Sequence, residues 1–286
     1  MIASMTGYGK SILELPEKKI TIEIRSLNSK TLDLNTRIPS FYREKELEIR
    51  NIISEKVQRG KVDFSMQVEL NPAARSQKLN ADLIKQYIED FKQITPNISD
   101  AELLPVVMRM PDVMNYSQDD LSEEEWNAIR NTVIEAINAL NQYRNDEGKV
   151  LEKELVNYVG NILNLLTQVE PFEGERILTI KERFTKRLED LKAEIDQNRY
   201  EQEMIYFLEK LDITEEKVRL KNNCEYFIQE LNQEGSNGKK LGFISQEIGR
   251  EINTLGSKSN HSDMQKIVVQ MKDELEKIKE QSLNVL

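Results

Sequence analysis

Two glutamates in the segment 241–258 have the type and the spacing that could support chemistry. Glu247 and Glu251 are four residues apart, so on a helix they lie one turn apart on the same side. Like charges at this spacing destabilise a helix by about 0.2–0.5 kcal/mol, so a cation, a metal ion or solvent is expected to compensate them. They form either a solvated face with ion pairs to Arg250 and Lys258, or a polar site on a helix whose other face is buried. The buried face would consist of Leu241, Ile244, Ile248, Ile252 and Leu255.

A second acidic cluster lies upstream, where Asp212, Glu215 and Glu216 begin another predicted helix. One interpretation is helix capping, because acidic side chains are favoured near a helix N-terminus. The other is that these carboxylates face Glu247 and Glu251 and form a site for a divalent cation. Mg²⁺ and Mn²⁺ prefer carboxylate ligands, and such an ion can activate water for attack on a phosphodiester.

The composition excludes several classes of site. The only histidine, His261, leaves one candidate base for a Ser-His-Asp triad and makes a two-histidine zinc site impossible within one chain. The single cysteine, Cys224, excludes an intramolecular disulfide and fits a reducing compartment. The sequence shows neither the roughly 18 apolar residues of a membrane helix nor a signal-peptide pattern at its start. We therefore expect a cytoplasmic protein without membrane contact.

The N-terminal part, residues 1–80, has the pattern of strands around a helix. Three isoleucines in 20–24 alternate with polar residues, as in a half-buried strand, and 62–70 repeats the alternation. Between them, 43–57 has helical spacing, with Leu47 among the residues expected on its buried side. This order predicts an α+β fold whose N-terminal domain contains a mixed or antiparallel sheet.

Helices are predicted for most of the remaining chain. Residues 81–210 are expected to form a helical arm, and 211–286 a C-terminal helical domain. Pro171 and Gly174 are expected to interrupt the arm, and Gly256 to end the helix that carries the two glutamates. Apolar residues in the last helix follow a heptad spacing, which predicts packing within the chain or, alternatively, a subunit contact. The predicted helices are 80–94, 122–142, 144–169, 177–209, 212–231 and 262–283.

Basic residues give the N-terminal domain a surface that could bind a nucleic acid. The net charge of the chain is −10, but residues 1–80 are net positive and 81–210 carry the acidic excess. Basic side chains bind backbone phosphates, and unpaired bases stack on aromatic rings such as Tyr8, Phe41 and Tyr42. Each such position alone is more often a solvated side chain. The candidates are Arg25, Asn28, Lys30, Arg37, Arg59 and Lys61, with Lys239 and Lys240 beside a predicted loop at 235–238.

Five segments carry a resemblance to a known family. They are MTGYG near the start, IEIRSLNSKTLDLNTRIP, QRGKVDF, DITEEKVRLKNN and QEIGREINTLGSKSN, in this order. In these segments the chain resembles the YicC family of bacterial proteins over essentially its whole length. The resemblance implies a cytoplasmic endoribonuclease that depends on Mn²⁺ or Mg²⁺ and assembles as a homohexamer enclosing RNA. It further implies a role in the decay of small RNA or mRNA, with other RNA-decay enzymes as candidate partners.

The resemblance also implies roles for individual residues. Glu247, Glu251, Arg250 and Lys258 match the C-terminal signature, and we expect the two cations to stabilise charge that develops on the phosphoryl group. One departure is Asn223, because many relatives have a histidine shortly after the Arg-Leu pair, in the stretch 222–224 of this chain. If that histidine is an obligatory general base in the family, this chain needs another proton acceptor, and a carboxylate beside a metal-bound hydroxide is compatible with that role. The expected metal ligands are Glu247, Glu251, Asp212, Glu215 and Glu216.

A second hypothesis comes from a different functional class. The protein would be a non-catalytic, oligomeric RNA-binding adaptor that delivers RNA to other ribonucleases. Its carboxylates would then form structural ion pairs. Metal-dependent cleavage that is lost in a site variant favours the enzyme, whereas salt-sensitive RNA binding without a product favours the adaptor.

Overall fold

The computed structural model describes residues 2–57, 59–71, 78–111, 113–115, 121–190, 196–233 and 238–286. These residues form a four-stranded sheet followed by helices, which confirms the predicted α+β class. The elements are β1 (Gly7–Glu14), β2 (Lys18–Leu27), β3 (Leu32–Arg37), a 3₁₀ helix (Ser40–Lys45), α1 (Glu46–Lys56), β4 (Gly60–Leu70), β5 (Lys78–Leu79), α2 (Ala81–Ile94), α3 (Asp100–Val107), β6 (Met114–Asn115), α4 (Glu123–Thr167), α5 (Glu170–Asp190), α6 (Gln197–Lys210), α7 (Thr214–Leu231), α8 (Gly238–Lys258) and α9 (Ser262–Ser282).

The N-terminal sheet is mixed, with the strand order β1-β2-β4-β3. β2 pairs antiparallel with β1 and β4, and β3 runs parallel to β4. Ile20, Ile22 and Ile24 are completely buried, as the alternation along β2 predicts. The prediction for Leu47 is wrong, since this side chain is 75% exposed. Leu47 precedes the buried Ile49 by two residues, which places it about 200° away around α1.

A single long helix, α4, covers the sheet. Gly9 of β1 lies so close to α4 that a Cβ atom there would stand 2.0 Å from the carbonyl oxygen of Ala136. The glycine is therefore needed because the backbones of strand and helix meet at this point. Ser122 caps the helix as predicted, and its hydroxyl accepts a hydrogen bond from the Glu125 amide.

The predicted break between 142 and 144 is wrong, because α4 continues through this polar stretch. Arg144 is buried there and donates to the backbone oxygens of Met5 and Arg59 at 3.3 and 3.2 Å, and to the Ser26 hydroxyl. These acceptors come from distant parts of the chain. They allow a charged residue to occupy the buried face of the helix, which the local sequence does not indicate.

Helix α4 contributes to two hydrophobic cores. Its first half packs with the sheet and α1, and its second half packs with α7, α8 and α9. The heptad positions of α9 are buried against α4 and α8, so the predicted packing within the chain is confirmed. Gly256 does not end α8, because the helix runs on to Lys258 and needs the glycine where Val268 of α9 approaches. The buried heptad residues are Met264, Val268, Met271, Leu275 and Ile278.

The second half of the arm differs from the prediction in two places. Pro171 and Gly174 lie inside the first turns of α5 rather than between helices, and proline is tolerated there because the first helical amides have no partner. The predicted helix 177–209 is two helices, since Asp196 caps the start of α6. Within the described parts of the chain, no helix is long and apolar enough to cross a membrane.

Candidate functional site

The start of α7 and the end of α8 meet at a partly buried ion pair. Lys258, the last residue of α8, donates from Nζ to Glu216 Oε1 at 2.7 Å and to the carbonyl oxygen of Asp212 at 2.9 Å. Glu216 lies in the first turn of α7 and is only 6% exposed. Its second carboxylate oxygen, Oε2, is buried and has no hydrogen-bond partner among the described residues. The site therefore contains an acceptor that the described protein leaves unsatisfied.

Glu251 is the second buried carboxylate of this site. It is 6% exposed, and the described residues donate no hydrogen bond to it. Burial raises the pKa of Glu251; nearby Arg219 opposes this rise, and Glu216 adds to it. The carboxylates of Glu216 and Glu251 thus act on each other in a partly dehydrated region where negative charge is costly.

The remaining predicted acidic ligands have other surroundings. Glu247 is exposed, and its carboxylate is 3.9 Å from Arg250. Glu215 forms an exposed ion pair with Arg219 at 2.5 Å. Asp212 accepts hydrogen bonds from the amide and hydroxyl of Thr214 at 3.0 and 2.7 Å, and these bonds lower its pKa. In the described chain, no three His, Cys, Asp or Glu side chains form a group that could by itself hold a metal ion.

The start of α5 supplies site residues that the sequence reasoning missed. Arg176 is buried and donates from Nη1 to the carbonyl oxygen of Lys258 at 3.2 Å. Burial lowers its pKa, and its Nε atom has no partner among the described residues. Glu173 binds Lys217 at 2.6 Å, which attaches α5 to α7 beside Glu216. The local signal in this segment is the Pro171–Gly174 pair, which predicts a break, whereas both residues lie in the first turns of α5.

His261 lies on the far side of this junction, directly before α9. Its Nε2 atom is 3.8 Å from Glu175 Oε2, and its ring packs against Phe172 with 5.1 Å between centroids. Its Nδ1 atom is buried without a hydrogen-bond partner among the described residues. The histidine therefore contacts α5, whose next residue, Arg176, holds the end of α8.

The predicted RNA-binding residues fall into two groups. Arg25, Lys30, Arg37 and Lys61 are exposed, and the Arg25 guanidinium lies 5.4 Å from the Tyr8 ring centre. Asn28 and Arg59 instead bind the C-terminal backbone, because they donate to the carbonyl oxygens of Leu283 and Val285 at 2.8 and 2.9 Å. Only the exposed group retains cationic side chains that the described chain leaves open to solvent.

The two predicted lysines near the start of α8 also differ from each other. Lys239 is exposed, whereas Lys240 binds the buried Glu230 at 2.5 Å. Residues 235–237 of the predicted loop lie outside the described residues, and Gly238 is the first residue of α8. Lys239 is therefore the better placed of the two for contact with an external anion.

Comparison with known proteins extends over both halves of the chain. Residues 2–153 match the family model described as endoribonuclease YicC-like, N-terminal region, and residues 169–286 match endoribonuclease YicC-like, C-terminal. Two relatives named probable endoribonuclease YicC come from Clostridioides difficile and Haemophilus influenzae. They are 30% identical to the chain over 293 and 290 residues, and each alignment covers 100% of both proteins. The resemblance found in the sequence is confirmed, and the chain belongs to the family described as endoribonuclease YicC-like.

Proposed function

We propose that the protein is an endoribonuclease that depends on a divalent cation and cleaves single-stranded regions of RNA. Family membership supports the activity, since the relatives carry the name of an endoribonuclease. The observation that carries the proposal is the pair of buried carboxylates, Glu216 and Glu251, beside the cations Lys258 and Arg219. Carboxylates that hold a metal ion and cations that stabilise phosphoryl charge can together promote phosphodiester hydrolysis.

The two buried carboxylates fit a divalent cation. Glu216 Oε2 lacks a donor among the described residues, and the pKa of Glu251 is raised because its charge is poorly solvated. A cation between them would offset both costs. Mg²⁺ and Mn²⁺ are commonly held by one or two carboxylates, with water and substrate phosphate as further ligands. Glu216 and Glu251 would hold the ion, and Glu247, one turn before Glu251 on α8, is a further candidate ligand.

When bound, Mn²⁺ or Mg²⁺ supplies Lewis-acid polarisation of a phosphoryl oxygen. The chain itself supplies the positive charges around that phosphate. Lys258 and Arg250 would bind its oxygens and stabilise the charge that grows in the transition state. Arg176 holds the Lys258 carbonyl and so fixes the end of α8 from which this lysine extends. Glu247 is exposed to solvent and would accept the proton from the attacking water.

The proposal includes the setting in which the enzyme acts. Its substrate would be small RNA or mRNA in the cytoplasm, bound through the exposed cations Arg25, Lys30 and Lys61 of the N-terminal domain. Exposed apolar side chains on α6, such as Ile205 and Tyr206, support assembly with further copies of the chain. We propose a homohexamer, and native mass spectrometry of the purified protein gives its subunit number directly.

The experiment that tests the activity uses a labelled single-stranded RNA with Mn²⁺, with Mg²⁺ or with a chelator. We expect internal cuts that require the metal and are lost in Glu216→Gln and Glu251→Gln. Glu274→Gln is the matched control, because Glu274 is also a partly buried, paired glutamate but lies on α9. RNA that is bound but never cut would instead support the adaptor. Cleavage that persists in the chelator would contradict metal dependence.

A further inference from the structure

The positive charge in the candidate site comes from the chain itself, namely from the ammonium group of Lys258. Lys258 Nζ is 2.7 Å from Glu216 Oε1, and its other acceptor is the backbone oxygen of Asp212. The lysine side chain is 28% exposed, whereas that of Glu216 is 8% exposed. The ammonium group can therefore leave toward solvent, but the carboxylate cannot follow it.

The two buried carboxylates of this region share one cation in direct contact. Glu216 and Glu251 carry two negative charges, and Lys258 is the one cation that the described structure places in contact with either carboxylate. Arg219 and Arg250 are nearby but contact exposed partners, Glu215 and Glu247 respectively. A divalent ion in place of the ammonium would match both buried charges, which one lysine cannot do.

We infer that Lys258 is a tethered competitor for the divalent cation: its ammonium occupies Glu216 in the metal-free protein and leaves when the cation binds. This inference rests on the metal dependence proposed above. A group on a short tether has an effective concentration in the millimolar range, so it weakens the apparent affinity of any ion that needs the same carboxylate. Once released, the ammonium is free to bind a phosphate, which makes the lysine available only when the metal is present.

The first test measures Mn²⁺ binding without RNA, from the electron paramagnetic resonance signal of the free ion. Removing the competitor in Lys258→Met should tighten Mn²⁺ binding about tenfold or more, whereas Lys258→Arg should bind close to wild type. Lys18→Met is the matched control, since Lys18 pairs with Glu125 at 2.7 Å in the N-terminal domain and both side chains are 17% exposed. Its Mn²⁺ affinity should not change. Equal or weaker binding by Lys258→Met would overturn the inference.

The second test follows the lysine directly. An amine-acylating reagent and mass spectrometry give the modification rate of Lys258, which should rise several-fold when Mn²⁺ is added because the ammonium leaves Glu216. An unchanged or lower rate would overturn the inference. RNA cleavage distinguishes this failure from that of the proposed function. If wild type binds no Mn²⁺, the metal dependence and the inference both fail. If wild type binds Mn²⁺ and cleaves RNA but either Lys258 test gives the overturning result, only the inference fails.

Discussion

The ion pair between Glu216 and Lys258 gives a prediction whose sign follows from its unequal burial. We consider Lys258→Met, Glu216→Gln and the double variant, all in the presence of a chelator. Lys258→Met leaves a carboxylate whose side chain is 8% exposed without its cation. Glu216→Gln leaves an ammonium that is 28% exposed and keeps the Asp212 carbonyl oxygen as an acceptor. The two single substitutions should therefore differ in cost, although they remove the same contact.

The expected magnitudes follow from what each variant leaves behind. An unpaired buried charge costs about 3 kcal/mol, so Lys258→Met should lower the free energy of unfolding by about that amount. An ammonium that reaches water and keeps one acceptor loses about 1 kcal/mol. The double variant buries no unpaired charge, so its loss should be about 2 kcal/mol, smaller than that of Lys258→Met alone. The resulting coupling between the two positions is about 2 kcal/mol.

Urea unfolding followed by far-ultraviolet circular dichroism measures these differences, because most of the described chain is helical and loses this signal on unfolding. The pair Glu274–Lys277 on α9 provides a matched cycle: its nitrogen–oxygen distance is 2.5 Å, but the lysine is 50% exposed. Its coupling should stay below about 1 kcal/mol. A larger loss in Glu216→Gln than in Lys258→Met would refute the reasoning, and so would losses that simply add.

Three further predictions concern stability and RNA binding. Because the pKa of Glu251 is raised above its ordinary value of 4.5, its charge destabilises the folded state as the pH rises through that range. Urea midpoints should show Glu251→Gln more stable than wild type at neutral pH, with no difference at acidic pH; an opposite trend contradicts this. Gly9→Ala should destabilise by about 3 kcal/mol through its clash with α4, whereas Gly160→Ala, which meets open space, should stabilise by about 0.5–1 kcal/mol. Tryptophan fluorescence follows both variants. Lys30→Ala and Lys61→Ala should each weaken RNA binding and lower its salt dependence by about one counterion, and unchanged salt slopes would exclude phosphate contact.

Local patterns predicted the elements that depend on local spacing. The alternation along β2 and the heptad spacing of α9 both identified the buried residues, since burial on one face of a strand or helix sets the period. The capping residue Ser122 marked the start of α4 correctly. Such signals depend on neighbouring residues, and they are already present in the sequence.

The helix interruptions predicted at Gly256 and next to Arg144 are wrong, because contacts with residues far away in sequence keep the helix intact at both places. Glycine ends helices in many proteins, but Gly256 lies within α8 and makes room for the Val268 side chain. Arg144 is placed in a polar stretch that resembles a loop, but three distant acceptors bury it within α4. In each case the deciding partner is far away in sequence, so no local pattern carries the information.

For the candidate site, too, the sequence indicated some properties and only the tertiary structure decided the others. The sequence by itself determined the family, the α+β class, and the acidic and basic residues from which a site could be built. Only the tertiary structure distinguished Glu251, which is buried, from Glu247, which is exposed one turn earlier on the same helix. It also paired Glu216 with Lys258 and brought Arg176 to the end of α8, a placement that no local pattern indicates. Burial and pairing depend on which helices pack together, and that packing is fixed by contacts among residues far apart in the chain.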